Sequence, residues 1–129
     1  MDELKTWALN YFKSRDAFTK SIIAIEDAPD GFSIQYKGRK DKVVIVPQIA
    51  SASKEAIVTS QCLVTLNEPK NIDALIARWP EFKTRDMKLI FVLPSQPHKK
   101  WVLNPFAHAR VCDESSLKRG LYALAEELP

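Results

Sequence analysis

Met87-Lys88-Leu89-Ile90-Phe91-Val92-Leu93, closed by Pro94, stands out as the long apolar run of this chain. It is rich in β-formers and too short for a buried helix, so it reads as a strand covered on both faces. That reading puts it at the centre of a sheet. The polar segment that follows, Ser95 to Arg110, becomes the expected seat of function.

The flanks supply the rest of the fold. Upstream, Leu4, Trp7, Ala8, Tyr11, Phe12, Phe18 and Ile22 recur at helical spacing, which predicts a long amphipathic helix packed on the core. Ala28-Pro29-Asp30-Gly31 breaks the chain. Phe32, Ile34 and Tyr36 then alternate with polar residues as a strand with one wet face does. Gly38-Arg39-Lys40-Asp41 turns into Val43-Val44-Ile45-Val46, and Pro47, which lacks an N–H, is expected at that strand's end, at a bulge or on an edge.

A further strand is expected over residues 57–66, after a small polar connector. Asn71 is the expected N-cap of a second helix that buries Ile72, Leu75, Ile76, Trp79 and Phe82, with a kink or restart at Pro80. Beyond the apolar run, Trp101-Val102-Leu103 predicts a short fifth strand. Asp113 opens a final helix with Leu117, Leu121, Leu124, Ala125 and Leu128 inward, and Gly120 within it predicts a close backbone approach. The expected order is α-β-β-β-α-β-(β)-α: a mixed α/β (α+β) single domain over 1–129, with a central four- to five-stranded mixed sheet flanked by helices.

Composition limits the function. The chain has 129 residues, 46% hydrophobic and 27% charged, with a net charge of +3. A domain of this size buries roughly two-thirds of its unfolded surface, so no disulfide or metal is required. The longest apolar run falls far short of the ~20 residues of a membrane span, and the charged N-terminus argues against a signal peptide. Cys62 and Cys112 are read as reduced, buried thiols of a cytoplasmic protein.

Charge is unevenly spread. Residues 1–30 carry four Lys/Arg against six Asp/Glu; residues 31–54 carry five against one; residues 89–110 carry three and no acid. Lys37, Arg39, Lys40 and Lys42 cluster at one hairpin tip, and Lys99, Lys100 and Arg110 flank the loop after the apolar run. If the two groups share a face, with Trp101 and Phe106 as stacking surfaces, they could hold a phosphate backbone. The plainer reading of the hairpin lysines is a solvated tip that deters edge pairing.

Catalytic readings fare worse. His98, His108 and Cys112 match no zinc spacing, and three glycines leave no phosphate-cradling loop. His98 reads as a loop residue, His108 as a turn or capping residue that could serve as base to Cys112.

The element order resembles the core of the restriction-endonuclease-like fold over nearly the whole chain. That resemblance implies a carboxylate on the second strand and an acidic-x-Lys pair on the third, binding a divalent metal that activates water. Here the second strand is Val43-Val44-Ile45-Val46-Pro47-Gln48, and the third offers Gln61-Cys62-Leu63. Both required sets are missing. Asp86-Met87-Lys88, Glu81-Phe82-Lys83 and Glu3-Leu4-Lys5 have the residue types at other places. The resemblance therefore implies a scaffold without nuclease activity. The order is similar also to the small α/β chaperones of type III secretion, which dimerise and are usually acidic.

The sequence thus predicts a binding domain without catalytic activity, cofactor, metal or small-molecule substrate. It acts through self-association as a homodimer or through a protein partner, with nucleic acid as the alternative partner. The contact candidates are Lys37, Arg39, Lys40, Lys42, His98, Lys99, Lys100, Trp101, Phe106, His108 and Arg110.

Overall fold

The apolar run does form a strand buried on both sides. In the computed structural model, which describes residues 2–96 and 99–126, Leu89, Ile90, Phe91 and Val92 are all fully buried on β5 (Lys88–Val92). Leu89 and Phe91 enter one core, Ile90 and Val92 the other.

The fold is mixed α/β around one six-stranded sheet in the order β1-β2-β3-β4-β5-β6. β1 (Ile22–Ala28), β2 (Gly31–Tyr36) and β3 (Arg39–Ile45) form an antiparallel meander. β4 (Cys62–Leu66) and β5 continue parallel to β3, and β6 (Lys100–Leu103) closes the sheet antiparallel to β5. β5 therefore lies one strand in from the edge, not at the centre.

The two faces are covered unequally. On one, α1 (Asp2–Arg15) sets Leu4 and Ala8 against Phe32, Ile34, Val43, Ile45, Val64 and Ile90. On the other lie the parallel crossovers: a 3-10 turn (Ile49–Ser51), α2 (Lys54–Thr59), α3 (Pro69–Ala77) and α4 (Trp79–Phe82). α5 (Pro105–Val111), a second 3-10 turn (Glu114–Ser116) and α6 (Leu117–Glu126) complete that side. Leu117 and Leu121 of α6 are buried there.

Several expectations are corrected. The first helix stops at Arg15, because the Asp16 carboxylate accepts hydrogen bonds from Thr19 Oγ1, the Ser21 N–H and hydroxyl, and the Ile22 N–H. That turn releases Ile22-Ile23-Ala24-Ile25 as an additional strand, which is why the sheet has six strands. Residues 57–66 are not one strand: the Ser53 hydroxyl accepts from the Ala56 N–H at 3.0 Å and caps α2, so the strand starts at Cys62. Asn104 accepts from the Ala107 N–H and Pro105 occupies the first turn, giving an unforeseen α5. Cys112 is exposed rather than buried. Gly120 marks no close approach, since a Cβ built there meets nothing within 4 Å.

Asn71 is no N-cap. It sits inside the first turn of α3, 1% exposed, and its side chain ties three segments together. Its carbonyl accepts from the Ile49 N–H (2.8 Å), while its amide donates to the Pro47 carbonyl (2.8 Å), the Leu66 carbonyl (2.7 Å) and Thr65 Oγ1 (3.2 Å). Removing it would leave the buried Ile49 N–H without its partner and take one donor each from the Pro47 and Leu66 carbonyls, which keep the Thr65 hydroxyl and the Glu68 N–H. Asn71→Ala is expected to lower the unfolding free energy by about 2–4 kcal/mol in urea titration. Asn71→Leu, which refills the volume, should do no better; recovery by Leu would refute the hydrogen-bonding role. Gly120→Ala should instead raise stability by about 0.5–1 kcal/mol, since helix propensity improves and no clash is introduced.

Candidate functional site

Two adjacent concavities lie on the α1 side, and Arg15 lines both. The first is a cleft of about 480 Å³ where the amino ends of β3, β4 and β5 meet the end of α1. Its apolar lining includes Phe12, Val43, Cys62 and Met87. Gln61 spans the strand starts: its side-chain oxygen accepts from the Lys42 N–H (2.6 Å), its N–H donates to the Lys42 carbonyl, and its carbonyl accepts from the Lys88 N–H.

The charged residues of the cleft are balanced, with Arg15, Arg39 and Lys88 against Asp16, Asp41 and Asp86. Most are already engaged. Arg39 lies 3.3 Å from the Asp41 carboxylate and 4.3 Å over the Tyr36 ring. Asp86 accepts from the Asn104 amide at 2.7 Å. Asp16 is held down to about 2 by the hydrogen bond from Ser21 and those from neighbouring groups, so it is a structural carboxylate and no proton donor near neutrality. Burial pushes the Cys62 thiol up to about 12, which removes it as a nucleophile.

The second concavity is a groove of about 460 Å³ between α1 and β6, lined by Trp7, Asn10, Tyr11, Ser14, Arg15 and Lys100. The α1 members recur at i, i+3, i+4, i+7 and i+8, a single stripe along the helix. Trp7 and Tyr11 are stacked, with centroids 5.0 Å apart and planes 15° from parallel. Lys100 Nζ stands 5.6 Å from the Tyr11 centroid, and Arg15 donates to the Tyr11 hydroxyl at 2.7 Å. Among the described residues, no carboxylate lines this groove.

The candidates read from the sequence separate. On β3, Arg39 faces the cleft, while the alternate residues Lys40 and Lys42 pair with Glu26 and Asp30 at 3.6 Å each. Lys37 is exposed on the hairpin. The hairpin is therefore not a patch of four unpaired cations. Trp101 does not reach solvent as a stacking surface: its ring lies 4.2 Å from Phe91, nearly parallel, and its indole N–H donates to Asn67. Phe106 is 38% exposed on α5 with Arg110 5.4 Å from its ring. His108 packs edge-on against Trp79, where burial lowers its pKa. Lys99 is half-buried just before β6, and His98 lies outside the described residues. Among the described candidates, only Lys100 joins the groove and only Arg39 the cleft.

Trp7, Tyr11 and Arg15 were missed as site residues because the first two fall on the apolar stripe that predicts core packing. The available signal was the width of that stripe, which exceeds what Leu4 and Ala8 need to cover the sheet. Of the three acidic-x-Lys matches, Glu81 is held by Arg78 in a two-pronged pair (2.8 and 2.9 Å) and Lys5 bonds to Asp27. Asp86-x-Lys88 does line the cleft, beside Gln61 and Asp41. Among the described residues, no group of three or more His, Cys, Asp or Glu side chains could hold a metal ion.

The two thiols give a direct check of the cleft. In native protein a disulfide reagent at mildly alkaline pH should modify Cys112 rapidly and Cys62 only on unfolding, and Cys112→Ser should leave no fast phase. A second fast thiol would mean that the cleft floor is open. No family model matches the chain, and neither a curated protein nor a solved structure shows a significant match to it.

Proposed function

We propose that the chain is a non-catalytic binding domain whose working surface is the α1 side of the sheet, and that its partner is anionic. The observation that carries this is the groove, where Arg15 and Lys100 stand by the Tyr11 ring and no carboxylate of the described residues is among the lining. Neither cation has an acidic partner among the described residues, in contrast to Arg39, Lys40 and Lys42. The absence of catalysis is supported by the chemistry of the cleft, whose thiol is held protonated and whose carboxylates are occupied in capping and pairing.

The element order supports the restriction-endonuclease-like resemblance as part of this proposal, in the form of a degenerate scaffold. With the observed strands, the second position is Gly31–Tyr36, which has no carboxylate. The third reads Arg39-Lys40-Asp41-Lys42-Val43, so Asp41 is followed two residues later by valine, not lysine. Among the described residues no helix is long and apolar enough to cross a membrane. Two unpaired thiols, one of them exposed, favour a reducing cytoplasmic setting.

Self-association draws on other residues. Phe18 is 97% exposed and Ile23 62% exposed, on either side of the Asp16 tie and beside the free edge β1. That edge is irregular between Ile22 and Ala24 and carries Glu26 and Asp27, features that discourage strand-to-strand pairing. A homodimer would therefore use these side chains rather than the edge.

Retention on a heparin column tests the anionic partner. The wild-type chain should be retained at low salt, and the double variant Arg15→Glu, Lys100→Glu should elute in the wash. Lys40→Glu, Lys42→Glu should be retained nearly as well as wild type; the reverse ranking would move the binding surface to the hairpin. A light-scattering mass of one chain at tens of micromolar would exclude the homodimer.

A further inference from the structure

The groove is more than a charged surface. Its wall is an indole and a phenol stacked on each other, two cations stand by the phenol ring, and the other described lining residues are one amide and one hydroxyl, Asn10 and Ser14. From Trp7 to Arg15 the helix advances about 12 Å. These are parts that hold a nucleotide strand: an aromatic wall to pack against a base, cations for the neighbouring phosphates, and neutral donors and acceptors for base edges.

We infer that the α1–β6 groove is a binding site for single-stranded nucleic acid, with a base against the Trp7–Tyr11 wall and phosphates at Arg15 and Lys100. This rests on the anionic-partner reading and narrows it to one chemical class. An acidic peptide would satisfy the two cations but has no use for the aromatic wall. A duplex hides its base faces in the stack, so it too would meet only the cations.

Position in the fold supports the assignment. Arg15 also lines the cleft, where Arg39 and Lys88 stand among three carboxylates, so the groove opens beside Arg15 onto a charge-balanced cleft. The cleft's own acids, Asp16, Asp41 and Asp86, face that continuation and keep it neutral. The strand's phosphates are therefore held in the groove and not in the cleft. Lys100 is exposed on β6, whose side of the sheet α1 does not cover, so the groove has an open side along which a strand can pass.

The test compares a single strand with other polyanions. Fluorescence polarisation would measure binding of a short labelled oligothymidylate, an abasic oligodeoxynucleotide of the same length, the matching duplex and polyglutamate. The single strand should bind about tenfold or more tighter than the abasic strand, the loss expected when one base loses its stacking partner. Trp7→Ala should weaken oligothymidylate about tenfold and leave the abasic strand unchanged, Trp7→Phe should keep most of the affinity, and Lys100→Glu should weaken both ligands. Equal binding of thymidylate and abasic strands by wild type would overturn the base site, while leaving the anionic-partner reading intact. Preference for polyglutamate would overturn it in favour of an acidic protein partner. Failure of every anion to bind would refute both readings. The wild-type comparison needs no variant to fold.

Discussion

The Asn71 side chain is the constraint on which the arrangement of the sheet depends. It is a buried amide with all of its bonds inside the protein: the Ile49 N–H on one side, the Pro47 and Leu66 carbonyls on the other. Those groups belong to the exits of β3 and β4 and to the start of the crossover between them. In open α/β sheets this carboxyl end is the usual place for a ligand. Here it is filled. Asn67 receives the Trp101 indole N–H nearby, and Arg78 donates to the Ile49 and Ala52 carbonyls while gripping Glu81. With that end spent on internal hydrogen bonds, open volume is left at the opposite end of the parallel strands and beside α1.

The second constraint is the imbalance between the two faces. Helices from both parallel crossovers and from the C-terminal region cover one face, and α1 alone covers the other. A single helix shields the middle strands but not β6, where Lys100 and the 45%-exposed Val102 look out on the α1 side. Trp7 and Tyr11 stand at the margin of that shielded area. They are half-buried because their inner edges pack on the sheet region while their outer edges line the groove. The groove is thus a geometric consequence of laying one helix across a six-stranded sheet.

What could be read from the sequence followed from local chemistry. The doubly buried β5, the β2–β3 hairpin and the amphipathic α1 are legible in the pattern, although α1 ends at Arg15, β3 begins already at Arg39 and β5 lies beside the edge strand rather than at the centre. β1 was hidden because Ile22 falls in phase with the helix, and only the Asp16 carboxylate, bonding forward to residues 19–22, breaks that phase. α2 was hidden by Ile57 and Val58, which look like the start of a strand, although the Ser53 cap was present. The site was less legible. The hairpin cations were visible in the sequence, but Glu26 and Asp30, which neutralise two of them, come from neighbouring strand and turn positions that pairing alone brings close. Trp7 and Tyr11 looked like core because a sequence shows the width of an apolar stripe and not the width of what it must cover.

Pairing also decides which cations can serve a ligand. An anion approaching Lys40 or Lys42 must displace Glu26 or Asp30, and the exchange gains little where both charges are already solvated. Arg39 is bound in the same way to Asp41. Arg15 and Lys100 are different, because each stands by an aromatic ring and has no acidic partner among the described residues. A ring attracts a cation by its quadrupole, by roughly 0.5–1 kcal/mol at an exposed site, without cancelling its charge. The cation stays positioned, with its conformational freedom already reduced, and its field remains available. An incoming phosphate then adds attraction without breaking an ion pair, so these two cations of the α1 side are both unneutralised and held in place for binding.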